Sequence, residues 1–145
     1  DITFTTIISI TTNTMVWVME RVMIARFSIE HNCFSYNRHS IAGTGNRGSG
    51  YEACHNVEMG ESFSHCFDMH GGRDRKDGTD IAGSWMKVHH NTFGSPETAL
   101  VVRGMPDEET TIQNNWFYHA SDEQAVRAEG NIRFAHNAYG YRSQE

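Results

Sequence analysis

The sequence predicts an all-β fold: a parallel coil of about four to five stacked turns. Three observations predict it. First, a seven-residue word recurs. Ser28–Phe34 (Ser-Ile-Glu-His-Asn-Cys-Phe) is answered by Lys87–Phe93 (Lys-Val-His-His-Asn-Thr-Phe), Thr111–Phe117 (Thr-Ile-Gln-Asn-Asn-Trp-Phe) and Arg133–Tyr139 (Arg-Phe-Ala-His-Asn-Ala-Tyr). A weaker copy, Glu52–Val57, lies between the first two. Second, another word ends in glycine: His39–Gly45, His65–Gly71, Thr98–Gly104 and Gln124–Gly130. Third, no segment sustains a helical apolar period with caps.

The first word places Asn32, Asn56, Asn91, Asn115 and Asn137 at steps of 24, 35, 24 and 22 residues. Such spacing is that of stacked supersecondary units, with two or three strands per turn and about 4.8 Å between turns. Strand alternation puts Val88 on one face and His89 on the other. An asparagine at each corner accepts the left-handed backbone of a sharp bend and stacks amide on amide. Two residues later, Phe34, Phe93, Phe117 and Tyr139 are expected to stack inside. The histidines of the motif (His31, His55, His90, His136) occupy one structural position and are expected to form a hydrogen-bonded ladder, not a metal centre.

Aligned on glycine, the second word puts Ile41, Phe67, Leu100 and Val126 in one inward column and Gly43, Met69, Val102 and Ala128 in another. Ala42, Asp68, Val101 and Arg127, and then Thr44, His70, Arg103 and Glu129, form two outward columns. The long second step comes from an insertion at residues 72–84, polar and rich in charge and glycine, which is expected to loop out at a turn. Insertions in solenoids gather on one face, often the binding face. Residues 1–23 lack the asparagine word. They are expected to be either a cap, which solenoids need, or a frame-shifted rung, because codons for Phe4–Ile7 can read His-His-Asn in another frame. The repeats proper occupy 24–145.

At 145 residues the chain allows one domain. A net charge of −6 argues against a nucleic-acid partner. No apolar run reaches the roughly 18 residues of a membrane helix. The 3 cysteines, Cys33, Cys54 and Cys66, match no zinc spacing and are expected to be free and packed, a Cys54–Cys66 bridge being the lesser alternative. Gly43–Gly48 lacks the Gly-Lys-[Ser/Thr] of a phosphate loop and reads as a turn.

From about Ile24 to Tyr141 the repeated words resemble the right-handed parallel β-helix family, the architecture of pectate lyases and polygalacturonases. The resemblance implies right-handed winding and a piece of a longer, secreted or cell-surface carbohydrate-active protein. Its partner would be a polysaccharide and its chemistry lyase-like or glycoside-hydrolase-like. The alternative is a non-catalytic carbohydrate-binding or structural module. The polygalacturonase words Asn-Thr-Asp, Gly-His-Gly and Arg-Ile-Lys are absent, as is an acidic calcium cluster on the framework.

The candidate site lies on the outward columns. Asp68 and His70 share a strand face, and Arg103 stands one turn on. These three are the candidate catalytic residues: an imidazole for proton transfer near neutral pH and a guanidinium for carboxylates. Arg127, Glu129, Arg73 and Lys76 are the candidate substrate-binding residues. The same columns also allow a plain ion-pair ladder from Glu129 to Arg103 and Arg127. No metal ligands are assigned, although Asp74, Asp77 and Asp80 could offer oxygens to calcium. Oligomeric state is not readable.

Overall fold

In the computed structural model, which describes residues 3–6, 16–18, 26–60 and 62–140, the chain is a parallel β-solenoid of about five turns. The first described turn supplies β1 (Thr3–Thr6) and β2 (Val16–Val18), and the second β3 (Arg26–Glu30), β4 (Cys33–Phe34) and β5 (Ile41–Gly43). Next come β6 (Gly50–Cys54), β7 (Val57–Glu58), β8 (Phe67–Met69) and the one-turn helix α1 (Gly72–Arg75). They are followed by β9 (Trp85–His89), β10 (Thr92–Phe93) and β11 (Leu100–Val102). The chain continues through β12 (Thr110–Gln113), β13 (Trp116–Phe117), the one-turn helix α2 (Asp122–Ala125) and β14 (Val126–Ala128) to β15 (Ile132–Ala135) and β16 (Ala138–Tyr139).

Three all-parallel sheets result: β1-β3-β6-β9-β12-β15, then β4-β7-β10-β13-β16, then β2-β5-β8-β11-β14. The glycine-ended words stack in the expected register, Ile41 on Phe67, Leu100 and Val126, and Ala42 on Asp68, Val101 and Arg127. β1 and β2 pair in parallel with β3 and β5. The rest of residues 1–23 lies outside the described residues, and with it the choice between a cap and a frame-shifted rung.

The corners correct one expectation. The left-handed residues are His31, His55, His90, Asn114 and His136, with φ between 54° and 59°, not the asparagines that follow them. Bending one residue early turns each asparagine inward: Asn32, Asn56, Asn91 and Asn115 are buried. A buried amide must find partners for all its polar atoms, and here it does. The backbone N–H and Nδ2 of Asn32 both donate to Asn56 Oδ1 at 3.0 Å. Asn56 treats Asn91 the same way at 3.0 Å, and Asn91 so treats Asn115 at 3.0 and 3.1 Å. Asn115 donates to Asn137 at 3.0 and 3.3 Å, and Asn137 Nδ2 ends the series on Asp122 Oδ1 at 2.9 Å. The corner histidines, exposed outside this ladder, are ring-stacked rather than hydrogen-bonded to one another: His31 on His55 at 5.1 Å and His55 on His90 at 5.2 Å between centroids.

Phe93 and Phe117, both buried, and Tyr139, exposed at the last described corner, stack in series at 5.2 and 6.3 Å. Phe34 does not join them directly. Its neighbours in the second sheet are Glu58 and then Phe93, so a buried carboxylate interrupts the aromatic column. Phe67 reaches across from the third sheet and bridges the interruption, 6.2 Å from Phe34 and 4.8 Å from Phe93.

The insertion is anchored rather than looped out. The guanidinium of Arg75 donates to the carbonyls of Thr44 (3.0 Å), Gly45 (2.6 Å) and Ile81 (2.9 Å), and Ile81 bridges to Met105. Close backbone approach makes this possible. A Cβ at Gly71 would collide with the carbonyl oxygen of Arg103, and one at Gly45, where φ is +73°, with that of His70. The cysteines are free, with Cys54 and Cys66 buried and Cys33 partly so.

Candidate functional site

Phe67 and Met69 of β8 are buried in the core, so the pleat turns Asp68 to the outer face of the third sheet. That face is nevertheless covered, and Asp68 is 0% exposed. Arg103, immediately after β11, grips it with a fork: Nε donates to Oδ1 at 3.2 Å and Nη2 stands 3.2 Å from Oδ2. His65 Nε2 and His70 Nε2 approach the same Oδ2 to 3.2 and 3.0 Å. Three nitrogens thus crowd one oxygen. Burial pushes the Asp68 carboxyl up, but the two imidazoles and the guanidinium outweigh burial and hold it well below the usual carboxylate range.

Further contacts behind the cluster fix these groups. Arg103 Nη1 also meets Asp74 Oδ1 at 3.3 Å, and Asp74 Oδ2 accepts the N–H of Gly71 at 3.1 Å, so the start of the insertion braces the guanidinium. His65 Nδ1 is 3.1 Å from Ser64 Oγ. His39, one turn earlier, lies with its ring centroid 4.1 Å from that of His65 and its Nδ1 3.2 Å from the His65 carbonyl oxygen. Burial lowers the His39 pKa and favours its neutral ring. Tyr51, fully buried, donates its hydroxyl to the Asp68 carbonyl at 3.2 Å from beneath.

The cluster opens on a groove of about 650 Å³ lined by Ser64, His65, Val101, Arg103, Arg127 and Glu129. Asp68, His70 and Arg103 therefore meet as expected, and Arg127 and Glu129 share the adjoining wall. The ion-pair ladder does not form among the described residues: Arg103 turns to Asp68 and Asp74, while Arg127 donates to Thr98 Oγ1 at 3.2 Å. Arg73 and Lys76 are not in the groove wall. Arg73 pairs with Asp80 at 3.4 Å, and Lys76, exposed, caps α1 in the left-handed region. The insertion's carboxylates do not converge on a common point either. Asp74 serves Arg103, Asp80 serves Arg73, and Asp77 serves Thr79 and Arg75; the Thr79 and Arg75 contacts bring Asp77 down to about 2.

His39, His65 and Ser64 complete the cluster without having been singled out in the sequence, and Asp74, considered there only for calcium, joins it through Arg103. A signal for two of them existed. His39 and His65 both open glycine-ended words, and alignment of those words stacks them on successive turns.

Chemically, the arrangement is an ionised, buried carboxylate that orients two imidazoles and a guanidinium beside a groove. Paired-carboxylate hydrolysis needs two carboxyl groups facing the substrate. Asp68 is sealed behind its partners and leaves Glu129 alone on the groove wall. Comparison of the chain with protein-family models, curated proteins and solved structures returns no match.

Proposed function

We propose that this face binds an acidic polysaccharide and cleaves it by elimination, in a secreted or cell-surface β-helix of the pectate-lyase-like kind that the repeat words resemble. The observation that supports this most is the buried Asp68, which holds His65 and Arg103 on the groove wall and His70 beside them on the same carboxylate. Elimination from a uronate needs neutralisation of the sugar carboxylate, a base for the α-proton and expulsion of the glycosidic oxygen. Arg127, exposed on the groove wall, is suited to the sugar carboxylate, assisted by Arg103. His70, a quarter exposed and backed by Asp68, is the proton acceptor; Asp68 stabilises the imidazolium that forms. The C–H electron pair becomes the new carbon–carbon double bond as the C–O bond breaks, and the His70 imidazolium returns its proton to the departing oxygen. Hydrolysis by two carboxylates is the weaker reading, since Asp68 is closed off.

The test is a panel of acidic and neutral polysaccharides, followed by absorbance of the unsaturated product and by reducing ends. His70→Ala should abolish turnover and Arg127→Ala should raise KM. Retained saccharide binding with no turnover on any substrate would assign the face to a binding module instead. Neither binding nor turnover on any member of the panel would overturn the proposal.

A further inference from the structure

We infer that the inner end of this cluster, His39, His65 and Asp68, is a binding site for a first-row divalent cation of the zinc class. The three side chains come from two successive turns, are all buried, and each offers one ligand-capable atom within 4.8 Å of the others. Two ligands about 2.0 Å from a tetrahedral ion stand about 3.3 Å apart, and His65 Nε2 is 3.2 Å from Asp68 Oδ2. Asp68 Oδ2 is fully buried and so offers a cation a carboxylate oxygen that water does not screen.

The outer contacts fit as well. Metal-ligating imidazoles characteristically fix their remote nitrogen on a carbonyl or hydroxyl. His39 Nδ1 meets the His65 carbonyl and His65 Nδ1 meets Ser64 Oγ. The donor set of two imidazoles and one carboxylate suits zinc, cobalt or nickel rather than calcium or magnesium, which take oxygen. His65 lines the groove and provides access.

Arg103 marks the competition. Its Nη2 stands 3.2 Å from Asp68 Oδ2 and 3.4 Å from His65 Nε2, so the guanidinium supplies Asp68 with the positive charge that the ion would bring. Metal binding then displaces one arm of Arg103 from Asp68 while Asp74 retains the other. The inference concerns cation binding by the chain alone and stands whether or not a saccharide binds the groove.

The experiment strips the purified chain with a chelator and titrates it with Co²⁺, then with Zn²⁺ in competition. One equivalent of Co²⁺ should bind with the visible absorption of a low-coordinate site, and Zn²⁺ should displace it. His39→Gln and Asp68→Asn should each weaken binding by at least the roughly 10- to 100-fold seen for outer-shell changes. Arg103→Gln should tighten it. Circular dichroism checks each variant for retained β-structure, and His39→Gln decides the matter if Asp68→Asn does not fold. His55→Ala, in the exposed imidazole stack, should leave Co²⁺ binding unchanged. No saturable binding, or binding that survives His39→Gln and falls with His55→Ala, would overturn the inference.

Discussion

Replacing Glu58 with leucine should stabilise the protein, and should do so only above a definite pH. Glu58 takes the place of an aromatic residue between Phe34 and Phe93 and is 1% exposed. Neither carboxylate oxygen has an aligned hydrogen-bond partner. Burial therefore raises its pKa from the ordinary 4.5 to about 7, with the Ser40 hydroxyl offsetting a part. Below 4.5 both folded and unfolded chains carry the proton and the residue contributes no penalty. Between 4.5 and about 7 the unfolded chain releases it while the folded chain keeps it, so stability falls as pH rises. Above about 7 the loss is complete, about 3 kcal/mol at about 1.4 kcal/mol per pH unit. The neighbouring Cys66 thiol, itself pushed well up by burial, stays neutral over this range. Urea unfolding of wild type and Glu58→Leu, followed by tryptophan fluorescence at intervals from pH 4 to pH 8.5, gives the difference directly. The gap between the two proteins should be small at pH 4.5 and widen to about 3 kcal/mol by pH 8. A gap that does not change with pH, or a Glu58→Leu protein less stable than wild type at pH 8, would refute the reasoning.

Two further outcomes follow from the corners. Asn91→Ala removes the acceptor for Asn56 and strands its buried N–H, so urea unfolding should show a loss of about 2–3 kcal/mol. His90→Val forces a β-branched residue into φ of 55° and should cost about 1–2 kcal/mol, whereas His90→Asn should cost little; a thermal melt of the pair separates backbone strain from loss of ring stacking.

The stacking register was legible because its signal is local: each glycine-ended word carries its own apolar alternation, and aligning the words aligns the turns. The bend was assigned one residue too late, since sequence shows that an Asn is required without showing whether its backbone or its amide meets the need. Glu58 could be seen to break the repeat, but not that Phe67 from another sheet would cover the gap. Asp68, His70 and Arg103 were found because strand parity and turn height place them together. The place of His39 was legible too, since it opens a glycine-ended word as His65 does; that of Asp74 was not, since its contact with Arg103 depends on how the insertion folds back through Arg75. Arg73 and Lys76 lie outside the groove wall for the same reason: charge in a loop marks the loop, while its path decides which charges line the groove.

The asparagine ladder ties each turn to both of its neighbours. The Nδ2 groups of Asn56, Asn91 and Asn115 donate forward to the next amide oxygen and back to the carbonyls of Ile29, Ala53 and Val88 in the preceding turn. At Asn137 both amide bonds run back, to Ile112 at 3.0 Å and Asp122 at 2.9 Å. Each corner is thus a rivet through adjacent turns, and bonds chained in this way strengthen one another. A coil riveted so resists unwinding one turn at a time, because freeing any turn breaks bonds in its neighbours as well.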